Sequence, residues 1–197
     1  METADFTFTP FPKIARLEKD CVVTEKIDGT NAAVCVTEDG LVYAQSRTRV
    51  ITPESDNFGF AAWVADHADD LRYGLGEGIH FGEWWGKGIQ RGYGLDEKRF
   101  SLFNTGRWTS KYNLERVNLD TPLHTVCDQC PCCHVVPVLG HHTFSTPYIW
   151  QTWDWLRLNG SMAAPGFDRP EGVVAFHTGN GTQFKLSDAK VPPREWT

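Results

Sequence analysis

An α+β fold, with strands outnumbering helices, is what the sequence predicts. Three observations predict it. Runs rich in β-branched and aromatic residues recur along the chain, two hairpin turns are written as Asp39-Gly40 and Gly179-Asn180-Gly181, and only two segments carry helical periodicity. With 197 residues, 41% hydrophobic and 22% charged, the chain can bury an ordinary core.

Taken in order, the first 20 residues form an irregular lead-in containing Pro10 and Pro12. Residues 21–27, CVVTEKI, read as a strand because β-branched side chains favour a pleated backbone. NAAVCVTEDGLVYAQSR reads as a hairpin with a two-residue turn at Asp39-Gly40. Asp56 caps a helix in which Phe60, Trp63, Val64, His67 and Leu71 form one stripe. GIHFGEWW and RFSLFNT read as further strands, and residues 117–145 as irregular except for a short strand at 135–139. TPYIWQTWDWLRLNG is a second helix, with Thr146 at its cap, Pro147 in its first turn and Asn159-Gly160 at its stop. EGVVAFHTGNGTQFKL closes the chain as a hairpin.

The net charge of −6 gives no general attraction to nucleic acid, so any polyanion must meet a local basic patch. No apolar run approaches the roughly 18 residues of a membrane span, and the N-terminus lacks the pattern of a signal peptide. The expectation is a cytoplasmic protein without a membrane partner. Its six cysteines are then thiols or metal ligands rather than disulfides.

The stretch EKIDG interrupts a strand with a lysine, an acid and a glycine. It reads either as a surface turn with solvated charges or as a nucleophilic Lys26. An amine activated by its surroundings can form a covalent intermediate, and Gly29 leaves space for a phosphate to approach.

EKIDGTNA resembles the nucleotidyl-acceptor motif of the covalent nucleotidyltransferases: ATP-dependent DNA ligases, RNA ligases and mRNA capping enzymes. Further motifs of that superfamily follow in order. SRTRVI (46–51) resembles the second, HFGEWWGKGIQRGYG (80–94) the third, RFSLFN (99–104) the aromatic strand after it, EGVVAF (171–176) the fourth and QFKL (183–186) the fifth. Together they span most of the chain, and the combination is most similar to phage-type RNA ligases.

The resemblance implies one adenylation domain over 1–197, a nucleotidyltransferase (ATP-grasp-like ligase) fold of antiparallel sheets with flanking helices. It implies no C-terminal oligonucleotide-binding barrel, since twelve residues follow Lys185. It assigns Lys26 as the nucleophile that attacks the α-phosphorus of ATP and holds AMP. The amine must be neutral to attack, which a nearby cation favours. Lys185 contacts the α-phosphate. Glu171 lies by the phosphates and holds Mg2+ or Mn2+, an oxygen ligand for a hard cation. Glu25 reads the adenine edge, Arg47 contacts ribose or the 3′ side of the break, and Glu83 accepts the ribose hydroxyls. Phe103 stacks on adenine and Val174 forms the opposite wall. For Arg47, Glu83 and Phe103 the residue types alone also allow a solvated arginine, an ion pair and core packing.

The sequence departs from the family pattern where a second basic residue is common in the fifth motif. Gln183 and Ser187 flank Lys185 at that spacing, and Lys190 is the nearest other lysine. Asp28 does not separate RNA from DNA ligation. Lys87 and Arg91, in GKGIQRG, read equally as phosphate contacts or as a solvated loop. RNA ends are the implied partner, with an accessory protein to help clamp them. The alternatives are a DNA nick ligase and a nucleotide-binding module without ligation.

HTVCDQCPCCHVV places His124, Cys127, Cys130, Cys132, Cys133 and His134 close together, with His141 and His142 beyond. Cys-x2-Cys is a zinc spacing, but the second half is compressed around Pro131. That favours a packed cysteine-rich loop over structural Zn2+.

Overall fold

The computed structural model describes residues 8–109 and 123–187, without the side chains of 123–126. Lys190, residues 117–122 of the segment expected to be irregular, and the side chain of His124 fall outside the described residues.

Ten strands form one sheet. They are β1 (Asp20–Lys26), β2 (Thr30–Val36), β3 (Val42–Ser46), β4 (Val50–Ile51), β5 (Gly78–Gly86), β6 (Lys98–Leu102), β7 (Leu123–Val126), β8 (His134–Thr143), β9 (Gly172–His177) and β10 (Thr182–Ser187). Their order is β10-β9-β1-β8-β6-β5-β2-β3-β4, with β7 also paired to β8. Pairing is antiparallel except between β6 and β8, where Ser101 meets His134 and Leu102 meets Val135. The helices are α1 (Phe60–Asp66), α2 (Ala68–Leu75), α3 (Thr105–Trp108) and α4 (Thr146–Asn159). This is the α+β architecture expected, with one continuous sheet in place of several.

Four elements differ in detail. Five residues, not two, join β2 to β3: the Leu41 N–H donates to the Thr37 hydroxyl and the Gly40 N–H to the Thr37 carbonyl. Gly40 still takes the left-handed conformation, with φ 80°. The first helix breaks at His67 into α1 and α2, though Phe60, Val64 and Leu71 keep their common buried side. Asp56 caps α1 from outside it, accepting the N–H groups of Ala61 at 2.7 Å and Ala62 at 3.1 Å. The cap residue of α4 is Ser145 rather than Thr146.

The short strand expected at 135–139 is the ten-residue β8. Pro137 has no N–H to give, and the β7–β8 register slips at that point, which lets the strand continue past it.

Two helix-covered clusters make most of the core. Val34, Phe60, Leu71, Trp84, Phe100 and Leu102 belong to the cluster under α1 and α2. Cys21, Val23, Leu139, Trp153 and Val173 belong to the one under α4. Strand alternation therefore decides what remains for chemistry. In β1, Cys21, Val23 and Glu25 are buried toward α4, and Val22, Thr24 and Lys26 take the other face. Among the described residues no helix is long and apolar enough to cross a membrane.

Candidate active site

Lys26 ends β1, where the strand gives up its second neighbour and the side chain reaches open space. Its Nζ donates to Glu171 Oε2 at 2.6 Å, in a pair whose side chains keep about a quarter and a fifth of their exposure (24% and 19%). Glu171 stands just before Gly172, the residue paired with Lys26 across β1–β9. One step along the register, Thr24 pairs with Val174 and Val174 with Lys185. Residues directly opposite in a sheet share a face. Lys26, Val174 and Lys185 thus lie on one surface, as the sequence order implies. Of the two residues that flank Lys185 at the spacing where a second basic residue is common, Gln183 pairs with Phe176 and Ser187 with Gly172 beside Lys26.

The second wall comes from β5 and β6. Glu83 is buried; its Oε1 accepts the Gly29 N–H at 3.0 Å and its Oε2 lies 3.5 Å from Asn31 Nδ2. Burial pushes its carboxyl up to about 7, against the pull of Lys26 and the Gly29 N–H, while Glu171 and Asp28 push the same way as burial. Those mutual influences put Lys26, Asp28, Glu83 and Glu171 in one electrostatic neighbourhood. Phe103 follows β6 directly, and its N–H bonds the Phe81 carbonyl. The register turns both rings to the Glu83 face, where they remain 37% and 55% exposed and free to meet a flat ligand. Phe81 was not picked out from the sequence; its alternation with Glu83 was the available signal.

Glu83 allows a direct check. The ordinary carboxyl value is 4.5. Between that pH and about 7 the folded protein holds a proton that the unfolded chain has released, so stability falls as pH rises through the window. Glu83→Gln should therefore be more stable than the parent at pH 8, by at most roughly 3 kcal/mol, and equal to it near pH 5. Urea unfolding at the two pH values measures this, and an equal gain at both would refute it.

Three expectations change. Glu25 does not share the Lys26 face. Ser161 Oγ donates to its Oε1 at 2.6 Å, and the N–H groups of Met162 and Ala163 donate to Oε2 at 2.8 and 2.9 Å. It ties the loop after α4 to β1, with both oxygens already accepting from protein donors. Arg91 is exposed, but its guanidinium is engaged by protein groups. It pairs with Asp28 at 2.8 Å and donates to the Arg169 and Pro170 carbonyls, clamping the Lys26 loop to the segment before Glu171. The Asp28 N–H donates to the Tyr93 hydroxyl, a contact no local pattern in the sequence announces. Gly29 makes room for protein, not phosphate. A Cβ there would lie 2.5 Å from the Trp84 carbonyl oxygen.

Arg47 stands exposed in the turn after β3, outside this cluster. His141 and His142 sit at the far end of β8, about 25 Å along the strand from the cysteines, so neither can complete a metal site with them. Glu171 and Glu83 offer the oxygen donors that Mg2+ or Mn2+ takes.

The RNA ligase family model matches residues 19–185. A search of curated proteins finds no match. Among solved structures, a Naegleria gruberi RNA ligase variant with ATP and Mn aligns with TM-score 0.60 and 19% identity over 87% of this chain and 50% of that chain. A variant of the same enzyme with AMP and Mn aligns with TM-score 0.60 and 19% identity, over 87% and 51%. The chain thus spans about half the length of these solved relatives.

Proposed function

The chain belongs to the RNA ligase family, and from that premise we propose that it joins RNA 5′-phosphate and 3′-hydroxyl ends at the expense of ATP. The observation that carries this is the Lys26–Glu171 pair at 2.6 Å, on the same face as Lys185 and next to a buried Glu83.

In the first step the neutral Lys26 amine attacks the α-phosphorus of ATP. A P–N bond forms, the bond to the bridging oxygen breaks and pyrophosphate leaves. Glu171 Oε2 aims the amine and is placed to hold the proton it must lose. Lys185 offsets charge that builds on the α-phosphate oxygens. Glu83 accepts from the ribose hydroxyls, and Phe103 and Val174 flank the adenine. Glu25 is a positioning residue that fixes the end of β1 through the 161–164 loop. Glu171 would hold a divalent ion, which when bound neutralises charge on the triphosphate. A terminal 5′-phosphate then attacks the lysyl-AMP phosphorus and frees Lys26, and a 3′-hydroxyl displaces AMP to close the backbone.

Incubation with magnesium and α-labelled ATP, followed by nicked RNA or nicked DNA, tests the reading. Acid-labile label on the protein that is discharged by RNA and yields a sealed product is the expected result. No label from any nucleotide sinks the enzyme reading. Discharge by DNA alone replaces the substrate.

A further inference from the structure

Four cysteines lie in the loop that joins β7 to β8, on the side of the sheet covered by α1 and α2. Nothing in the adenylation chemistry uses them. All six cysteines of the chain are free thiols, so no disulfide accounts for the cluster.

The loop overcomes the compressed spacing by turning twice. The Cys130 N–H bonds the Cys127 carbonyl, the Cys133 N–H bonds the Cys130 carbonyl, and the Cys127 N–H closes the loop on the Cys133 carbonyl. Three thiols converge as a result. Cys130 Sγ lies 3.4 Å from Cys132 Sγ and 3.6 Å from Cys133 Sγ, and all three lie within 4.8 Å of one another. Tetrahedral zinc with Zn–S bonds of about 2.3 Å requires sulfurs about 3.8 Å apart. Cys127 is buried in the same cluster but falls outside the converging group, its Sγ 4.0 Å from Gln129 Oε1.

These three sulfurs leave one tetrahedral position to fill, and a ligand from another element would avoid drawing four from one loop. His67 stands where the first helix breaks. Its Nδ1 lies 2.8 Å from the Trp63 carbonyl. A carbonyl only accepts, so Nδ1 carries the hydrogen and Nε2 keeps a lone pair. A metal-bound histidine shows this arrangement, because the carbonyl fixes both tautomer and ring. The ring stacks on Trp63, and Trp63 and Cys132 both pack against the same cluster. The loop also lies directly on α2: Cys130 Sγ points to the Asp70 carbonyl, and a Cβ on Gly74 would meet the Gln129 carbonyl at 2.4 Å.

We propose that Cys130, Cys132, Cys133 and His67 bind one structural Zn2+ that fastens the α1–α2 junction to the β7–β8 loop. The break in the first helix is then what turns His67 toward the loop. The metal serves the scaffold behind the sheet and stands apart from the divalent ion of the nucleotide site, because soft thiolates select zinc over magnesium.

The test uses the full chain, purified without a histidine tag under reducing conditions from zinc-supplemented medium. Elemental analysis should give close to one zinc per chain, and cobalt replacement should give thiolate-to-cobalt charge-transfer absorption with strong tetrahedral visible bands. Cys132→Ser and Cys133→Ser should lose the metal. His67→Ala should weaken zinc binding at least about tenfold, and Cys127→Ala should retain a full equivalent. A zinc chelator should lower the parent's Tm and leave a metal-free variant unchanged. Zinc below about a tenth per chain, even after titration of the reduced parent, would overturn the site whether or not the variants fold. Loss of zinc in Cys127→Ala with retention in His67→Ala would overturn the choice of fourth ligand.

Discussion

Lys26→Arg should take no label from α-labelled ATP, a loss of at least about 10³-fold, while melting close to the parent temperature. The two halves of this expectation have different causes. A guanidinium stays charged at any usable pH, so it keeps an ion pair with Glu171 and holds the local electrostatics in balance. It never presents the neutral amine that the phosphorus requires, and losing a covalent nucleophile costs rate on this scale. Lys26→Ala should also lose all label. It additionally strips Glu171 of its partner and leaves Asp28, Glu83 and Glu171 to repel one another without Lys26. The pair of variants separates nucleophile from counter-charge. Label on the arginine variant would move the nucleophile elsewhere.

Gly29→Ala should cost about 1–3 kcal/mol of stability and lower adenylation by a larger factor than the fraction of folded protein explains. The added methyl would lie 2.5 Å from the Trp84 carbonyl oxygen, 2.7 Å from Trp85 Cβ and 2.9 Å from Glu83 Cγ. The first of these is backbone and the second is fixed to it, so no change of rotamer relieves them. The chain must move apart there, and with it goes the Gly29 N–H that holds Glu83 Oε1. Misplacing an oriented group by about 1 Å can cost on the order of 10²-fold. Urea unfolding and the KM for ATP, measured on the same preparation, read the two effects. Unchanged stability would show that the loop yields freely.

Much of this was legible in the residues. Strand runs marked β1, β2, β3, β5 and β6, and the structure sets Lys26, Glu83 and Glu171 near one another with Lys185 on the Lys26 face of the sheet. What stayed hidden depends on pairing between distant strands. The partners of Glu25 are set by the loop after α4, and no local pattern joins residue 25 to residue 161. Gly29 suggested space for a ligand, yet the close neighbour is β5. Arg91 looked free because Asp28 and the carbonyls of Arg169 and Pro170 lie far from it in sequence. The strand expected at 135–139 falls short of β8, since its full length depends on which edges are paired on either side. His67 fitted the helical stripe by periodicity, and periodicity does not register a break that preserves phase.

The place of β1 between β8 and β9 has a kinetic consequence. Asp20 pairs with Thr143 and Lys26 with Gly172, partners more than a hundred residues away. Closing such long loops costs entropy before any pairing repays it, and high contact order slows folding. The β2–β3 hairpin can form as soon as it leaves the ribosome, whereas the nucleophile waits for nearly the whole described chain. On the proposed mechanism, competence to accept AMP is therefore acquired late, and a nascent or truncated chain lacking β9 carries Lys26 without the strand that pairs with it.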